Sequence, residues 1–145
     1  DPNNIIMIDA IPGSGKTHTL CCCIAYLIEY QLINPNNIIL LTYTKNAKEH
    51  MKNKLHTLLD DKSLSFCGTI HAIAFKFIYD VNNNISNNFY CPDELLSLFK
   101  QLLIDISNKK KYNLLIQTIK YLFVDEFQDV DQKQLDIINL IQKIS

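Results

Sequence analysis

The sequence alternates short, mostly apolar runs with longer stretches in which apolar residues recur every three or four positions. The short runs cover residues 5–8, 37–42, 64–67 and 121–124, and we predict a strand at each of them. Runs with little polar alternation are typical of strands that are covered on both faces of a parallel sheet. We predict helices at residues 17–30, 45–59, 70–79, 92–106 and 112–119, and a last helix that begins after the capping residue Asp131 and reaches Ile144.

This order of strands and helices predicts an α/β fold with an open, mainly parallel sheet. In such folds the functional residues lie at the carboxyl ends of the strands. A chain of 145 residues that is 48% hydrophobic can bury one core of good size. We therefore predict a single domain over residues 1–145, with a short helical insert at about residues 82–119.

The spacing of apolar residues also predicts which helix faces are buried. In the first helix the inward positions are Leu20, Cys23, Ile24, Leu27 and Ile28. In the helix at 45–59 they are Ala47, Met51, Leu55 and either Leu58 or Leu59, while Lys48, Lys52 and Lys54 face outward.

Residues 9–17, Asp-Ala-Ile-Pro-Gly-Ser-Gly-Lys-Thr, lie between a predicted strand and a predicted helix. Gly13 and Gly15 can take positive φ, so that backbone N–H groups and the helix N-terminus surround an anion. We expect Lys16 to reach the β- and γ-phosphate oxygens and the Thr17 hydroxyl to bind Mg²⁺. The pattern G-x-x-x-x-G-K-[ST] is met except that Ala10 replaces the first glycine. The alternative is a glycine turn that a Lys-Thr pair follows by chance.

This segment predicts a nucleotide site, with ATP and Mg²⁺ as the cofactors. The residues assigned to nucleotide binding are Ala10, Ile11, Pro12, Gly13, Ser14, Gly15, Lys16, Thr17 and Thr19.

Asp125, Glu126, Gln128 and Asp129 follow the apolar run 121–124 in the pattern D-E-x-Q-D. An acidic residue at a strand end beside a phosphate loop is suited to hold Mg²⁺, and we assign that role to Asp125 together with Thr17. Glu126 is predicted to accept a proton from the water that attacks the γ-phosphate. The alternative is an ordinary strand end with solvated acids.

Charge and cysteine content exclude several classes of protein. The formal net charge is −1, so nucleic acid would have to bind at a local patch. The five cysteines form no C-x-x-C pair, which argues against zinc and against a disulfide framework and favours a reducing, intracellular compartment. No apolar run is long enough to span a membrane. The lysines at 109–111 are more typical of a solvated loop than of a DNA patch.

Four segments together resemble the UvrD/Rep-like helicases of superfamily 1. They read AIPGSGKT, ILLTYTKNAKEHMKNKL, GTIHAIAFKFI and FVDEFQDVDQKQ, in the order found in that family, and they cover about half of the chain. The resemblance implies the first RecA-like domain of an ATP-dependent DNA helicase or translocase. Such a domain is a P-loop NTPase with a three-layer sandwich, and it uses ATP and Mg²⁺.

The resemblance also implies roles for individual residues. Tyr43 stands where the family has an aromatic that stacks on a base of single-stranded DNA, and a ring at a strand end offers such a face for any base. Its alternative is a half-buried strand tyrosine. Thr44 and Lys45 would contact the DNA backbone, and Thr69 and His71 would touch the strand, although His71 fits a structural role equally well. Gln128 would act with Lys16 and Glu126 in catalysis by sensing the nucleotide.

The resemblance implies further parts and partners. The adenine-binding segment before Ala10 and the blocks after D-E-x-Q-D are not among the printed residues, so we expect a partial domain. Its expected partners are single-stranded DNA, a duplex junction and the second RecA-like domain of the parent chain. All fourteen basic residues are lysines, so no arginine is present to stabilise the transferring phosphoryl group. The alternatives are a regulatory nucleotide-binding module without motor activity and a small-molecule kinase with a phosphate loop.

Overall fold

A computed structural model describes residues 6, 11, 13–60, 62–81, 91–108 and 118–144. Helices and strands alternate along the chain almost as the hydrophobic pattern predicts. They are α1 (Lys16–Glu29), β1 (Ile38–Leu41), α2 (Lys45–Leu58), β2 (Phe66–Gly68), α3 (Ile70–Val81), α4 (Pro92–Ser107), β3 (Tyr121–Val124) and α5 (Gln132–Ile144). Short 3₁₀ turns cover Pro35–Asn37 and Phe127–Asp129.

Three parallel strands form the sheet in the order β2-β1-β3. Leu41, at the carboxyl end of β1, is in register with Gly68 of β2 and with Val124 of β3. The residues after these strands therefore meet at one edge of the sheet, as the α/β pattern predicts.

Successive residues of β1 point to opposite faces of the sheet, and each face is covered by helices. Ile39 and Leu41 pack into the larger apolar cluster, with residues of α3, α4 and α5. Ile38 and Leu40 pack into the smaller cluster, with residues of α1 and α2. The protein is thus a three-layer α/β sandwich, which confirms the predicted fold class.

Helix α4 lies within the predicted insert, yet it supplies a large part of the main core. Its buried residues are Leu95, Leu96, Phe99, Leu102, Leu103 and Ile106. The rings of Phe99 and Phe77 stack with their centroids 5.8 Å apart, which joins α4 to α3. Lys100 of α4 donates a hydrogen bond to Asp136 of α5 at 2.6 Å. The predicted second helix of the insert falls almost entirely outside the described residues.

The buried face of α1 differs from the prediction at two positions, Cys21 and Cys23. Cys21, Ile24 and Ile28 are buried, whereas Cys23 is exposed. The core-facing stripe of α1 is narrow, because α1 packs against the sheet and α2 on one side only, and Cys23 lies outside it. In α2 the buried positions are Met51 and Leu55, and Leu59 rather than Leu58 continues this face.

Local signals fix where several helices begin. The Thr44 hydroxyl accepts a hydrogen bond from the Ala47 N–H at 3.0 Å, so Thr44 caps α2. The Asp131 carboxylate accepts one from the Gln134 N–H at 2.8 Å, as the predicted cap of α5 requires. Helix α4 begins with Pro92, and the Glu94 carboxylate accepts a hydrogen bond from the Cys91 N–H at 3.1 Å.

The predicted strand at 5–8 is described only at Ile6. Ile6 is not in a strand and is 84% exposed, so the prediction is wrong at this residue. An apolar residue is buried only where neighbouring elements cover it, and no described strand pairs with Ile6. Among the described residues, no helix is both long and apolar enough to cross a membrane.

Candidate nucleotide and nucleic-acid site

The phosphate loop has the backbone that its glycines predict. Gly13 has φ of 80° and Gly15 has φ of 88°, both in the left-handed region. A Cβ atom at either position would meet no atom within 4 Å, so backbone conformation rather than lack of space requires glycine. Gly15 is the N-cap residue of α1 and has no side chain with which to cap the first turn of this helix. The N-terminus of α1 therefore keeps its N–H groups available for an anion.

Thr17 and Asp125 meet although 108 positions separate them in the chain. The Thr17 hydroxyl donates a hydrogen bond to the Asp125 carboxylate at 3.5 Å. Asp125 is held there through its backbone, because its N–H donates to the carbonyl of Leu41 at 3.0 Å. The two predicted Mg²⁺ ligands thus lie side by side at the carboxyl edge of the sheet.

This hydroxyl and carboxylate fit Mg²⁺ as it binds in nucleotide sites. Such a site supplies one or two oxygen ligands from the protein and leaves the remaining positions to phosphate oxygens and water. Among the described residues, no group of three or more His, Cys, Asp or Glu side chains could hold a metal ion. The protein part of the site therefore suits a metal that arrives with a phosphate ligand.

Burial raises the pKa of the Asp125 carboxyl, and the nearby charge of Glu126 raises it further. Hydrogen bonds from the Glu126 backbone and the Thr17 hydroxyl, together with the charge of Lys16, oppose this rise. Lys16 therefore lies near enough to Asp125 to act on its charge. A bound cation would add a second positive charge beside Asp125 and would favour the ionised carboxylate that metal binding needs.

Glu126 adopts a left-handed backbone conformation, with φ of 53° and ψ of 47°. This region is uncommon for residues other than glycine and stores strain, which is typical of functional sites. The Gln128 side-chain amide donates a hydrogen bond to the Glu126 carboxylate. The two residues assigned to catalysis after β3 thus form one pair, and the sequence does not indicate this strained backbone.

A pocket of about 310 Å³ opens beside Asp125 at the same edge of the sheet. The predicted DNA-contacting residues Tyr43, Thr69 and His71 line it together with Asp125. Its other lining residues are Leu41, Thr42, Ile70, Val124, Val130, Gln134 and Ile138. The pocket therefore has an apolar floor and a polar, aromatic rim that includes one residue of the nucleotide site.

Thr44 and Lys45 lie outside the pocket that the three other predicted DNA-contacting residues line. Neither lines the pocket, and the Thr44 hydroxyl already caps α2. Lys45 is exposed at the first position of α2, where the helix dipole disfavours a cation. An anion at this helix start would offset that cost, so Lys45 remains placed for a phosphate group.

The remaining residues assigned to nucleotide binding belong to the loop or to the first turn of α1. The Thr19 hydroxyl donates to the carbonyl of Gly15 at 3.2 Å, and Ile11 is exposed. The Ser14 N–H donates to the carbonyl of Ile11 at 3.2 Å. Ala10 and Pro12 fall outside the described residues.

Sequence reasoning missed the part of the pocket that α5 and the preceding turn supply. Val130, Gln134 and Ile138 come from this segment. Their four-residue spacing after D-E-x-Q-D was a usable signal, since such a helix begins at the carboxyl edge of the sheet. Thr42 was also missed. It directly follows β1 and is a buried polar residue, with 4% of its surface exposed.

Comparison with known proteins identifies the family of the chain. The sequence profile of the UvrD/REP helicase N-terminal domain matches residues 1–117. The chain belongs to the UvrD/REP helicase N-terminal domain family. The matched segment of this UvrD/REP domain includes the phosphate loop, Tyr43 and His71, and it ends before β3. The role of Asp125 therefore depends on its contact with Thr17 rather than on the profile.

Individual UvrD/REP relatives are similar over most of the chain. DNA helicase II of Rickettsia typhi is 32% identical over 123 residues, which are 79% of this chain and 18% of that protein. The ATP-dependent DNA helicase srs2 of Schizosaccharomyces pombe is 30% identical over 115 residues, which are 75% of this chain and 13% of that protein. The chain thus spans less than one fifth of the length of either relative.

Proposed function

We propose that this chain is the ATP-binding part of an ATP-dependent DNA helicase or translocase that moves on single-stranded DNA inside the cell and unwinds duplexes. The contact between Thr17 and Asp125 is the observation that carries the proposal, because it joins the phosphate loop to the acidic segment. Names of the similar proteins, which include DNA helicase II and an ATP-dependent DNA helicase, support the same activity.

Nucleotide binding would depend on the loop and on the start of α1. Backbone N–H groups of residues 13–17 would hold the phosphates, and the Lys16 ammonium would contact the β- and γ-phosphate oxygens. Thr17 and Asp125 would hold Mg²⁺, which when bound neutralises charge on the phosphates. Thr19 would support the loop through its hydrogen bond to the Gly15 carbonyl.

Glu126 and Gln128 would serve the hydrolytic step. The Glu126 carboxylate would accept a proton from the attacking water, and the Gln128 amide would hold that carboxylate in position. Stabilising the transferring phosphoryl group requires a further cation, commonly an arginine side chain. The chain contains no arginine. We infer that the second RecA-like domain of the parent protein supplies it, so this chain alone should hydrolyse ATP poorly.

The pocket beside Asp125 would hold single-stranded DNA. A base would stack on Tyr43, while Thr69 and His71 would contact the strand. Thr44 and Lys45 would contact the backbone phosphates next to the pocket. Asp125 lines the pocket and accepts a hydrogen bond from Thr17, so a nucleotide bound at Thr17 would have a short physical path to the DNA contacts.

Replacement of Lys16 tests this proposal. In the full-length protein, Lys16→Ala should abolish ATP hydrolysis that single-stranded DNA stimulates, because the β- and γ-phosphates lose their ammonium contact. The measurement is the rate of phosphate release with and without oligothymidylate. Lys62→Ala is the matched control, because Lys62 is an exposed lysine whose partner is Glu29. Stimulated hydrolysis in Lys16→Ala equal to that of the control would reject the proposed nucleotide site.

A further inference from the structure

Helix α3 presents an outer face whose two aromatic rings belong to neither buried cluster. The described side chains on this face are His71, Ala72, Phe75, Lys76 and Tyr79. Phe75 is 54% exposed and Tyr79 is 57% exposed. Their rings are 6.3 Å apart between centroids and only 17° from parallel. Two large rings held in parallel on a helix surface form a stacking platform rather than part of a core.

The platform continues from the pocket. His71 lines the pocket at the start of α3, and Phe75 and Tyr79 follow it at successive four-residue intervals. Residues four apart lie on the same side of a helix, about 6 Å further along its axis. His71, Phe75 and Tyr79 thus form a row that leads away from the pocket along the outer surface of the protein.

Lysines border this row. The Lys48 stem and Ala72 both flank Gly68, since a Cβ atom there would meet the Ala72 Cβ at 3.5 Å and the Lys48 Cδ at 3.7 Å. Lys48 and Lys52 both lie near enough to Cys67 on β2 to lower the pKa of its thiol, although burial raises that pKa overall. Lys76 lies on α3 itself, but its ammonium donates a hydrogen bond to the Ser65 carbonyl at 2.7 Å and lies 4.6 Å from the centroid of the Phe66 ring, so the lysines on α2 supply the positive charge beside the row.

One acidic side chain, Glu49, is paired with a lysine that borders the row. Glu49 lies beside Lys48, with 4.0 Å between its carboxylate oxygen and the ammonium nitrogen. None of the five described side chains on the outer face of α3 is acidic. The surface therefore combines exposed rings with positive charge, which suits a ligand with flat bases and anionic phosphates.

We propose that the outer face of α3 binds single-stranded DNA as an extension of the pocket, with bases stacking on Phe75 and Tyr79. This inference rests on the proposed function, because the strand must first occupy the pocket at Tyr43 and His71. Lys48 and Lys52 contact the backbone phosphates of the same nucleotides. The footprint of the protein on the strand is thereby longer than the pocket alone would give.

A second exposed aromatic pair provides a matched control. Tyr26 and Tyr30 stack on α1 with centroids 5.3 Å apart, and α1 lies on the opposite face of the sheet. Glu29 lies beside this pair, and α1 carries no lysine after Lys16. The α1 pair thus has similar rings and exposure but no continuity with the pocket, and the lysine near it, Lys62, is already paired with the Glu29 carboxylate at 2.7 Å.

The test compares DNA affinity across a series of strand lengths. Fluorescence anisotropy measures the Kd of the full-length protein for oligothymidylates of about 4 to 16 nucleotides, a range that covers typical site sizes. The double variant Phe75→Ala/Tyr79→Ala should bind the shortest strands like the unchanged protein and the longest about tenfold to a hundredfold more weakly. Tyr26→Ala/Tyr30→Ala should bind every length normally. Phe75→Tyr/Tyr79→Phe, which keeps both rings, should do the same.

Two results would overturn the inference while leaving the proposed function intact. One is normal binding of all lengths by Phe75→Ala/Tyr79→Ala. The other is equal weakening at all lengths, which would mean that α3 contacts another part of the protein and acts on DNA indirectly. Circular dichroism checks that each variant is folded. Failure of the unchanged protein to bind any oligothymidylate would instead reject the proposed function, and the inference with it.

Discussion

The phosphate loop with its acidic partners and the pocket beside it lie at the same edge of the sheet but differ in construction. Gly13, Gly15 and Glu126 all have positive φ, and Asp125 is a partly buried carboxylate with a raised pKa. None of the residues that line the pocket has positive φ. The predicted nucleotide region is thus built from left-handed backbone conformations and a partly buried charge. The pocket is built from the surfaces of side chains.

This difference predicts two kinds of response to substitution. A partly buried carboxylate serves function but lowers the free energy of unfolding. Its removal should therefore lower activity and raise stability. A stacking ring contributes in proportion to the face it offers, so its loss should be graded and should leave the fold intact. The following substitutions test the contrast, from the largest expected effect to the smallest.

Asp125→Asn should lower Mg²⁺-dependent ATP hydrolysis by more than about a hundredfold, because the metal loses a carboxylate ligand. The same change should raise the free energy of unfolding at neutral pH. Because the pKa of Asp125 is raised above its ordinary value of 3.8, the folded state holds the proton more tightly than the unfolded chain does. Stability should therefore fall as pH rises through the folded pKa, and the variant should lose this part of the pH dependence.

Urea unfolding at several pH values, together with ATPase assays of the full-length protein, measures both effects of Asp125→Asn. Asp131→Asn is the control, because asparagine caps a helix about as well as aspartate. A variant that is less stable than the unchanged protein at neutral pH would contradict the view that Asp125 is held at a cost.

Tyr43→Ala should weaken binding of single-stranded DNA about tenfold to a hundredfold, whereas Tyr43→Phe should bind normally. The reason is that the ring face, not the hydroxyl, would stack on a base. Anisotropy titrations with oligothymidylate measure the difference, and Tyr30→Ala controls for loss of an exposed tyrosine elsewhere. If neither Tyr43 variant differs from the unchanged protein, the pocket does not stack DNA and a small-molecule kinase becomes the better interpretation.

Gly15→Ala should lower the free energy of unfolding by about 1 to 2 kcal/mol, because alanine is strained at a left-handed φ. Gly68→Ala is the matched control, since its φ is not positive and its Cβ would make ordinary contacts at 3.5 Å and beyond. Thermal or urea unfolding measures both variants. Equal stability of the two would show that the loop backbone relaxes without cost.

Much of the fold could be predicted from local sequence. The strand bounds of residues 121–124 and the starts of α2, α3 and α4 agree with the hydrophobic pattern, because capping residues and apolar spacing act within a few positions. The positive φ of Gly13 and Gly15 was predictable for the same reason. Cys23 was mispredicted as inward-facing, since spacing alone does not define how wide the covered stripe of a helix is.

The sequence pointed to several residues that the structure brings together at the candidate site, and it missed others. Tyr43, Thr69 and His71 do line one pocket with Asp125, while Thr44 and Lys45 lie outside it. The contribution of α5 to the pocket and the exposed row on α3 were not foreseen. The exposed row depends on which helix packs against which strand end, and no local pattern encodes that. The contribution of α5 did have a local signal, which is the four-residue spacing of Val130, Gln134 and Ile138.

The amino-acid sequence by itself determined the alternation of strands and helices, the glycine–lysine loop and the acidic segment, because each depends on neighbouring residues. Only the tertiary structure decided the strand order β2-β1-β3, and only it brought the predicted partners Thr17 and Asp125 within hydrogen-bond distance. The tertiary structure likewise decided the left-handed backbone of Glu126 and the exposure of Phe75 and Tyr79. These features arise from contacts between distant segments, where burial and pairing across the sheet outweigh local preference.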